Sequence, residues 1–201
     1  MNLELMPCPA GEFDMPVRGK VKISRPFWLG KVSVTVAQWA KLVEGKDMSE
    51  EEVKRDFPKG STSVAERSAF MEKLNQKFAS QCPRGYVFRL PTEAELKYAL
   101  TCGGRIKEQD LAAFGPSEED KRKYVAEMCA KPGVSEADRK WLKKVTRTRV
   151  GLSKPNDWGF LDVVGNGEHI VSDRSAEGGD PWNQTFRVCL APEQIADDKA
   201  K

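Results

Sequence analysis

The chain has 201 residues, enough for one domain with a buried core and no need of disulfide staples. Its net charge of +3 excludes a polyelectrolyte that binds nucleic acid or membrane by bulk attraction, and no apolar run approaches a membrane span. With 39% hydrophobic against 31% charged residues, it reads as globular with a heavily solvated surface.

Met1 to Met15 carries Glu4, Glu12 and Asp14 and lacks an apolar core behind a basic start, so no secretory leader is expected. Residues 3–16 contain Pro7, Pro9 and Pro16 and suit a short edge strand with turns. Val21–Ile23 alternates as a strand. Phe27–Val34 is the strongest strand candidate, aromatic and β-branched after Pro26. Thr35 caps a helix with Val36, Trp39, Ala40 and Val43 on one face, closed by Gly45. Residues 46–62 read as a charged loop with one short helical possibility. Ser63 and Glu66 then have capping-box spacing, ahead of an apolar stripe of Phe70, Met71, Leu74 and Phe78.

Pro83-Arg84-Gly85 marks a turn and Tyr86–Leu90 a short strand. Thr92 and Glu95 form another capping box, with Leu96, Ala99 and Leu100 on one helical face. The texture changes at about 105–149. Ser117–Ala130 reads as a helix with Tyr124, Val125, Met128 and Cys129 inward, stopped by Pro132-Gly133. Ser135–Lys144 reads as its partner, with Trp141, Leu142 and Val145 clustered. Gly-, Asn- and Asp-rich loops fill 151–183, a strand is expected over Thr185–Leu190, and the charged tail 193–201 is expected to be disordered. Residues 1–192 are thus expected to form one domain with a helical insertion. The five cysteines, Cys8, Cys82, Cys102, Cys129 and Cys189, lack metal-ligand spacing and read as reduced thiols of a cytoplasmic protein. One disulfide is the alternative for a secreted form.

Several strings fall in the order of the formylglycine-generating enzyme, or sulfatase-modifying factor, family. Pro9–Phe13 resembles its "PAGEF" opening, and Phe27–Trp39 resembles its "FxIGKxEVTxxQY" element. Ser63–Leu74 sits where the family has "VSWxDAxxFxxWL". Arg89–Ala99 resembles "RLPTEAEWEYA" almost residue for residue, with Leu96 in place of tryptophan. Pro155–Asp162 resembles "PNxWGLYDM". Gly165-Asn166 and Ser172-Asp173 resemble the two ends of the "GNVWEW" element. Gly178–Trp182 resembles "RGGSW", and Phe186-Arg187-Val188 resembles the closing "GFRV". The resemblance implies an α+β fold similar to C-type lectins: short twisted sheets, two core helices and long loops, here with the helical hairpin inserted.

That family oxidises a substrate cysteine with a copper(I)-binding cysteine pair, whose soft thiolates suit the ion. The pair belongs between "RGGSW" and "GFRV", where only Asn183, Gln184 and Thr185 stand here. Cys189 lies after the closing strand without a partner and reads as a buried strand residue. The iron-dependent branch needs several histidines, and this chain has one, His169. As a catalytic base His169 lacks a partnered nucleophile. No catalytic residue is assigned, and the missing ligands weigh against an enzyme.

The resemblance also implies a calcium site of hard oxygen donors. Its matching positions are Asp162, Gly165, Gly167 and His169, with histidine where glutamate belongs and Glu168 one residue early. No cofactor is otherwise expected, and the competing reading has Asp162 and Asn166 satisfying backbone amides without metal. The loop Asp173–Trp182 offers Arg174, Glu177, Asp180 and Trp182 as ligand-binding candidates, a tryptophan among mixed charges that suits a protein partner. Lys140, Lys143, Lys144 and Arg147 form a basic run that could meet phosphates, against a solvated face balanced by Glu118, Glu119, Asp120 and Glu136.

The leading expectation is a non-catalytic module of this family, a pseudoenzyme that binds a protein or ligand or serves as a subunit of an assembly. The alternatives are a formylglycine-type oxidoreductase acting on a thiol with altered chemistry, and nucleic-acid contact through the insertion.

Overall fold

The computed structural model describes residues 2–49, 56–142, 148–173 and 184–193, with the backbone alone at 138, 141 and 142. Its centre is an antiparallel sheet of four strands in the order β1 (Leu5–Cys8), β4 (Phe27–Gly30), β8 (Cys189–Pro192) and β5 (Tyr86–Arg89). β2 (Gly11–Met15) and β3 (Gly19–Ile23) form a separate hairpin. β6 (Glu168–His169) and β7 (Gln184–Thr185) form a short parallel pair.

Both faces of the sheet are buried, and the period-2 alternation of strands assigns residues to each. Cys189 and Ala191 of β8 join Phe27 and Leu29 of β4 in one core cluster, while Leu190 and Trp28 turn to the other. The first face is covered by α3 (Glu93–Leu100), Phe13 and Met15 of the hairpin, and Phe160 and Val163. The second is covered by α1 (Val36–Trp39), which continues as a π-helical turn over Ala40–Glu44, and by α2 (Val64–Phe78). Trp39 stacks on Phe70 at 5.3 Å, and Phe186 meets both edge-on.

Local chemistry starts each core helix. Thr35 with Gln38, Ser63 with Glu66 and Thr92 with Glu95 all close reciprocal capping boxes, so two orphan amides are satisfied at each start. Glu95 does more than cap. Its carboxylate takes the Thr92 amide at 2.8 Å and pairs both guanidinium ends of Arg89 at 2.7 and 2.6 Å. Burial works against the Arg89 charge, but the Glu95 hydrogen bond and charge outweigh it and raise the pKa above its usual value. The turn before α3 is tied down as well: Asp173 accepts the Glu93 amide at 2.7 Å, and Ser172 donates to the Pro91 carbonyl. At the outer edge of β5, the Asn75 side chain bonds both the N–H and C=O of Phe88, blunting an exposed strand edge.

The α+β architecture expected from the sequence is the one found, and differences lie in where strands break. The strand expected over Phe27–Val34 ends at Gly30, and the one expected over Thr185–Leu190 is two strands flanking Phe186–Val188. Both breaks have one cause, the inward turn of Arg187 onto the carbonyls of Gly30 and Lys31. The single edge strand expected within 3–16 is two strands that pair with different neighbours, β1 with β4 and β2 with β3. The insertion contains a 3-10 segment (Glu108–Phe114), which no sequence pattern announces, then the helices α4 (Glu118–Cys129) and α5 (Glu136–Leu142). Tyr124 of α4 is buried, with Phe57 edge-on at 6.1 Å. Val125, Met128 and Cys129 are only half-buried. Val145 and the tail from 194 lie outside the described residues.

Candidate functional site

The most densely bonded polar centre is built on Arg187, which is fully buried between β7 and β8. Its Nη1 donates to the carbonyls of Gly30 (3.0 Å) and Lys31 (2.6 Å). Nη2 donates to those of Leu161 (2.7 Å) and Asp162 (2.8 Å), and Nε donates to His169 Nε2 (3.0 Å). A guanidinium has five N–H donors, so every one is used. Burial lowers its pKa to about 10 against the opposing Asp162 carboxylate, which leaves it charged at neutral pH. This one side chain joins the end of β4, the 161–162 turn and β6.

His169 is the acceptor of that bond, which puts its proton on Nδ1. Burial first and the Arg187 charge second push its pKa well below the usual histidine value. The ring is half-buried by accessible area yet deep in the molecule: solvent reaches an edge of it while the protein interior surrounds the rest. Ser33 Oγ lies 3.2 Å from the same Nε2 and 3.4 Å from Thr185 Oγ1. A serine beside an imidazole invites comparison with a nucleophile and its base. Here the nitrogen lone pair is already engaged by Arg187, the imidazole resists protonation, and Ser33 is only 2% exposed. The pair is built as structure.

Asp162 stands in the left-handed region at φ 51°. Its Oδ2 accepts the Gly151 amide at 2.6 Å, its own amide donates to Ser153 Oγ at 2.5 Å, and its Oδ1 is buried without a partner among the described residues. Asn166 accepts the Thr148 amide (2.9 Å) and hydroxyl (3.3 Å) through Oδ1, and its Nδ2 is likewise unpartnered. The orphan Asp162 oxygen alone would suit a cation. The rest of the donor set does not fit calcium, which takes six to eight hard oxygens. Position 169 offers an imidazole nitrogen already bonded to a guanidinium, and the Asp162 carbonyl is taken by Arg187. A dication would join a buried cation with Asp162 as the carboxylate between them. Asp162 and His169 are thus brought together on Arg187, while Gly165 and Gly167 turn the chain between them with φ 97° and 102°.

Beside this centre lies a cleft of about 440 Å³, lined by Leu96, Leu100, Leu111, Val163, Val164 and Val171. Glu93, Lys97, Glu108 and His169 are among the polar residues that also line it. Lys97 pairs with Glu108 at 2.9 Å and with Glu93 at 3.7 Å, and Glu93 also meets Arg18 at 3.1 Å. An apolar wall with a few convergent charged groups, at this volume, is of the kind that binds small ligands. Leu96, the residue that departs from the "RLPTEAEWEYA" string, forms part of that wall.

The thiols divide by burial, with Cys82 and Cys129 half-buried and the other three in the core. Cys8, Cys102 and Cys189 are buried, and burial raises the pKa of each. Cys189 sits on β8 beside Arg89 in register, inside the core. Among the described residues no group of three or more His, Cys, Asp or Glu side chains could hold a metal ion. Arg174, Glu177, Asp180 and Trp182 lie outside the described residues, as do Lys143, Lys144 and Arg147; Lys140 is exposed on α5. No helix among the described residues is long and apolar enough to cross a membrane. Arg187, Ser33 and the cleft were missed in the sequence; the one signal for the first was an arginine set between Phe186 and Val188 in an otherwise apolar strand.

Comparison with known proteins gives one family. The model of the sulfatase-modifying factor enzyme 1-like domain matches residues 4–189. Among solved structures, PvdO from Pseudomonas aeruginosa shares the fold with a TM-score of 0.60 at 16% identity, over 94% of each chain. CarF shares it with a TM-score of 0.58 at 13% identity, over 96% of this chain and 99% of its own. No curated protein matches the chain.

Proposed function

This chain belongs to the sulfatase-modifying factor enzyme 1-like family, and from that premise we propose that it is a non-catalytic member which works by binding. The observation that carries the reading is the state of its reactive side chains. The family's oxidation needs two thiolates free to bind a soft metal and exchange electrons. Here Cys8, Cys102 and Cys189 are buried thiols held protonated by desolvation, and the lone histidine is neutral and bonded to Arg187. The polar atoms at the centre of the fold hold backbone together, and the apolar cleft at Leu96 supplies a surface on which a ligand or a partner's side chain can be bound.

The test offers the purified protein copper(I), oxygen and a peptide containing the cysteine motif of a sulfatase, and follows the peptide by mass spectrometry. The peptide cysteine is expected to stay unconverted and the protein to take up no stoichiometric copper(I). Conversion of the thiol to an aldehyde, with copper(I) bound one to one, overturns the proposal. Leu96→Trp, which refills the cleft, reports on the binding half: it is expected to leave the fold intact and abolish binding of an apolar reporter dye. A dye that binds both forms alike removes the cleft from the reading.

A further inference from the structure

His169 does more than receive a bond from Arg187. Its Nε2 accepts from the guanidinium at 3.0 Å, which fixes the neutral ring as the tautomer with its proton on Nδ1. Ser33 Oγ, 3.2 Å from the same Nε2, gives its own proton to Thr185 Oγ1 and so does not compete for the lone pair. Nδ1–H is left over. No described residue accepts it. Nor is it sealed in the interior, since the unpartnered polar atoms closed to solvent belong to Ser61, Arg67, Tyr124, Asp162 and Asn166. With the Nε2 edge packed against Arg187 and Ser33, the open edge of the ring is the one that lines the cleft beside α3.

The rest of the lining decides what this donor can meet. The wall of Leu96, Leu100, Leu111, Val163, Val164 and Val171 is apolar. Thr101 adds no free donor, because its hydroxyl donates to the Lys97 carbonyl at 2.7 Å and accepts the Gly104 amide at 3.1 Å. Lys97 is shared between Glu108 at 2.9 Å and Glu93 at 3.7 Å, so two carboxylates face one ammonium. That balance disfavours an anionic ligand, and a cation gains nothing from an N–H donor. Burial and the Arg187 charge hold the His169 pKa well below its usual value, so the donor stays uncharged at neutral pH. A neutral acceptor on an apolar body is what remains.

We propose that the cleft binds an uncharged apolar molecule through a carbonyl oxygen, as in a ketone, ester or amide, which accepts the Nδ1–H of His169 while its hydrocarbon part packs on the leucines and valines. One well-placed polar group in an apolar cleft orients a ligand and selects among ligands of equal shape. Arg187 is then a positioning residue, because its bond to Nε2 decides which nitrogen carries the proton and holds the ring in place. The inference rests on the reading of the cleft as a binding site and adds the chemistry that the cleft selects.

The test uses the full chain with isotopically labelled histidine; because His169 is the single histidine, its ring signals need no assignment. Without ligand, nuclear magnetic resonance should show Nδ1 protonated and Nε2 bare, and the opposite tautomer overturns the proposal. Acetophenone and α-methylstyrene, which share a shape and differ by a carbonyl oxygen against a methylene group, are then titrated. Both are expected to bind, the ketone roughly three- to tenfold more tightly, which is the difference one net hydrogen bond makes. Only the ketone should move the Nδ1 signal, in step with occupancy. Benzoate should bind more weakly than acetophenone, and equal or tighter binding of benzoate overturns the choice of a neutral ligand. Leu96→Trp should lose both neutral ligands together; a ketone still bound with the cleft filled lies elsewhere and overturns the proposal. Equal binding of the two with Nδ1 unmoved leaves the cleft a binding site and sinks the carbonyl contact alone. Binding of neither sinks both readings.

Discussion

Replacing His169 with glutamine isolates one term of the acid stability of this protein. The chain has a single histidine, so the interval between pH 7 and 5 is unusually clean. Burial and the Arg187 charge hold the His169 pKa well below its ordinary value of about 6.5. The unfolded chain then binds a proton below pH 6.5 that the native protein refuses. Stability is unaffected above that pH and falls as pH drops, by about 1.4 kcal/mol per unit once the unfolded histidine is fully charged. Between pH 7 and 5 the loss sums to about 2 kcal/mol, a sizeable part of a total of roughly 5–15 kcal/mol. The glutamine amide of His169→Gln would keep an oxygen acceptor for Arg187 Nε–H but cannot titrate. Urea unfolding at pH 7 and pH 5 should therefore show the midpoint of the native protein dropping by about 1 M more than that of His169→Gln, for an m of about 2 kcal/mol/M. Asp56, whose pKa is raised by burial, acts in the opposite sense and is common to both proteins, so it cancels in the comparison. Parallel midpoint shifts in the two proteins would refute the reasoning, and so would a native-state imidazole resonance that titrates near 6.5.

Two further outcomes follow from the same geometry. Added calcium or a chelator should move the Tm of the unmutated protein by less than about 1 °C, whereas His169→Glu, which supplies the missing carboxylate, should gain calcium-dependent stability, measured by scanning calorimetry. A chelator that lowers Tm by several degrees in the unmutated protein would show that Asp162 and the 165–167 carbonyls suffice without it. The hairpin between β2 and β3 turns at Pro16-Val17, closed by Arg18 N–H to Met15 O at 3.2 Å, with Val17 at φ 70° and fully exposed. A β-branched residue is strained there and makes no packing in return, so Val17→Gly should stabilise by about 1 kcal/mol in denaturant melts despite the added chain entropy. A loss of stability on that change would mean the valine is held by contacts that the hairpin does not show.

What was legible in the sequence was what three or four residues decide among themselves. Thr35, Ser63 and Thr92 could be named as caps because the hydroxyl and the returning side chain lie within one turn. The assignment of sheet residues to the two faces was not legible, because Phe27-Trp28-Leu29 and Cys189-Leu190-Ala191 are apolar throughout and both faces are buried. The strand breaks were not, because their cause is long-range. Arg187 ends β4 by binding carbonyls 157 and 156 residues away, and nothing near Gly30 announces that partner. The cleft escaped for the same reason, since its wall joins α3, the 3-10 segment and the 163–171 strand region. Arg67 escaped differently: next to an apolar stripe it reads as a surface charge, and only its burial reveals that it faces inward.

The two buried arginines argue for where this protein's chemistry lies. A guanidinium withdrawn from water is tolerable only when its donors are met. Arg187 meets that condition completely with four carbonyls and the one histidine, and in doing so it removes His169 from use as a base or a hard-metal ligand. Among the described residues Arg67 meets it with Thr62 alone, and Nε and the neighbouring Ser61 hydroxyl have no partner. Of the positions that match the family's calcium site, Asp162 binds the Gly151 amide and Arg187, and His169 binds Arg187.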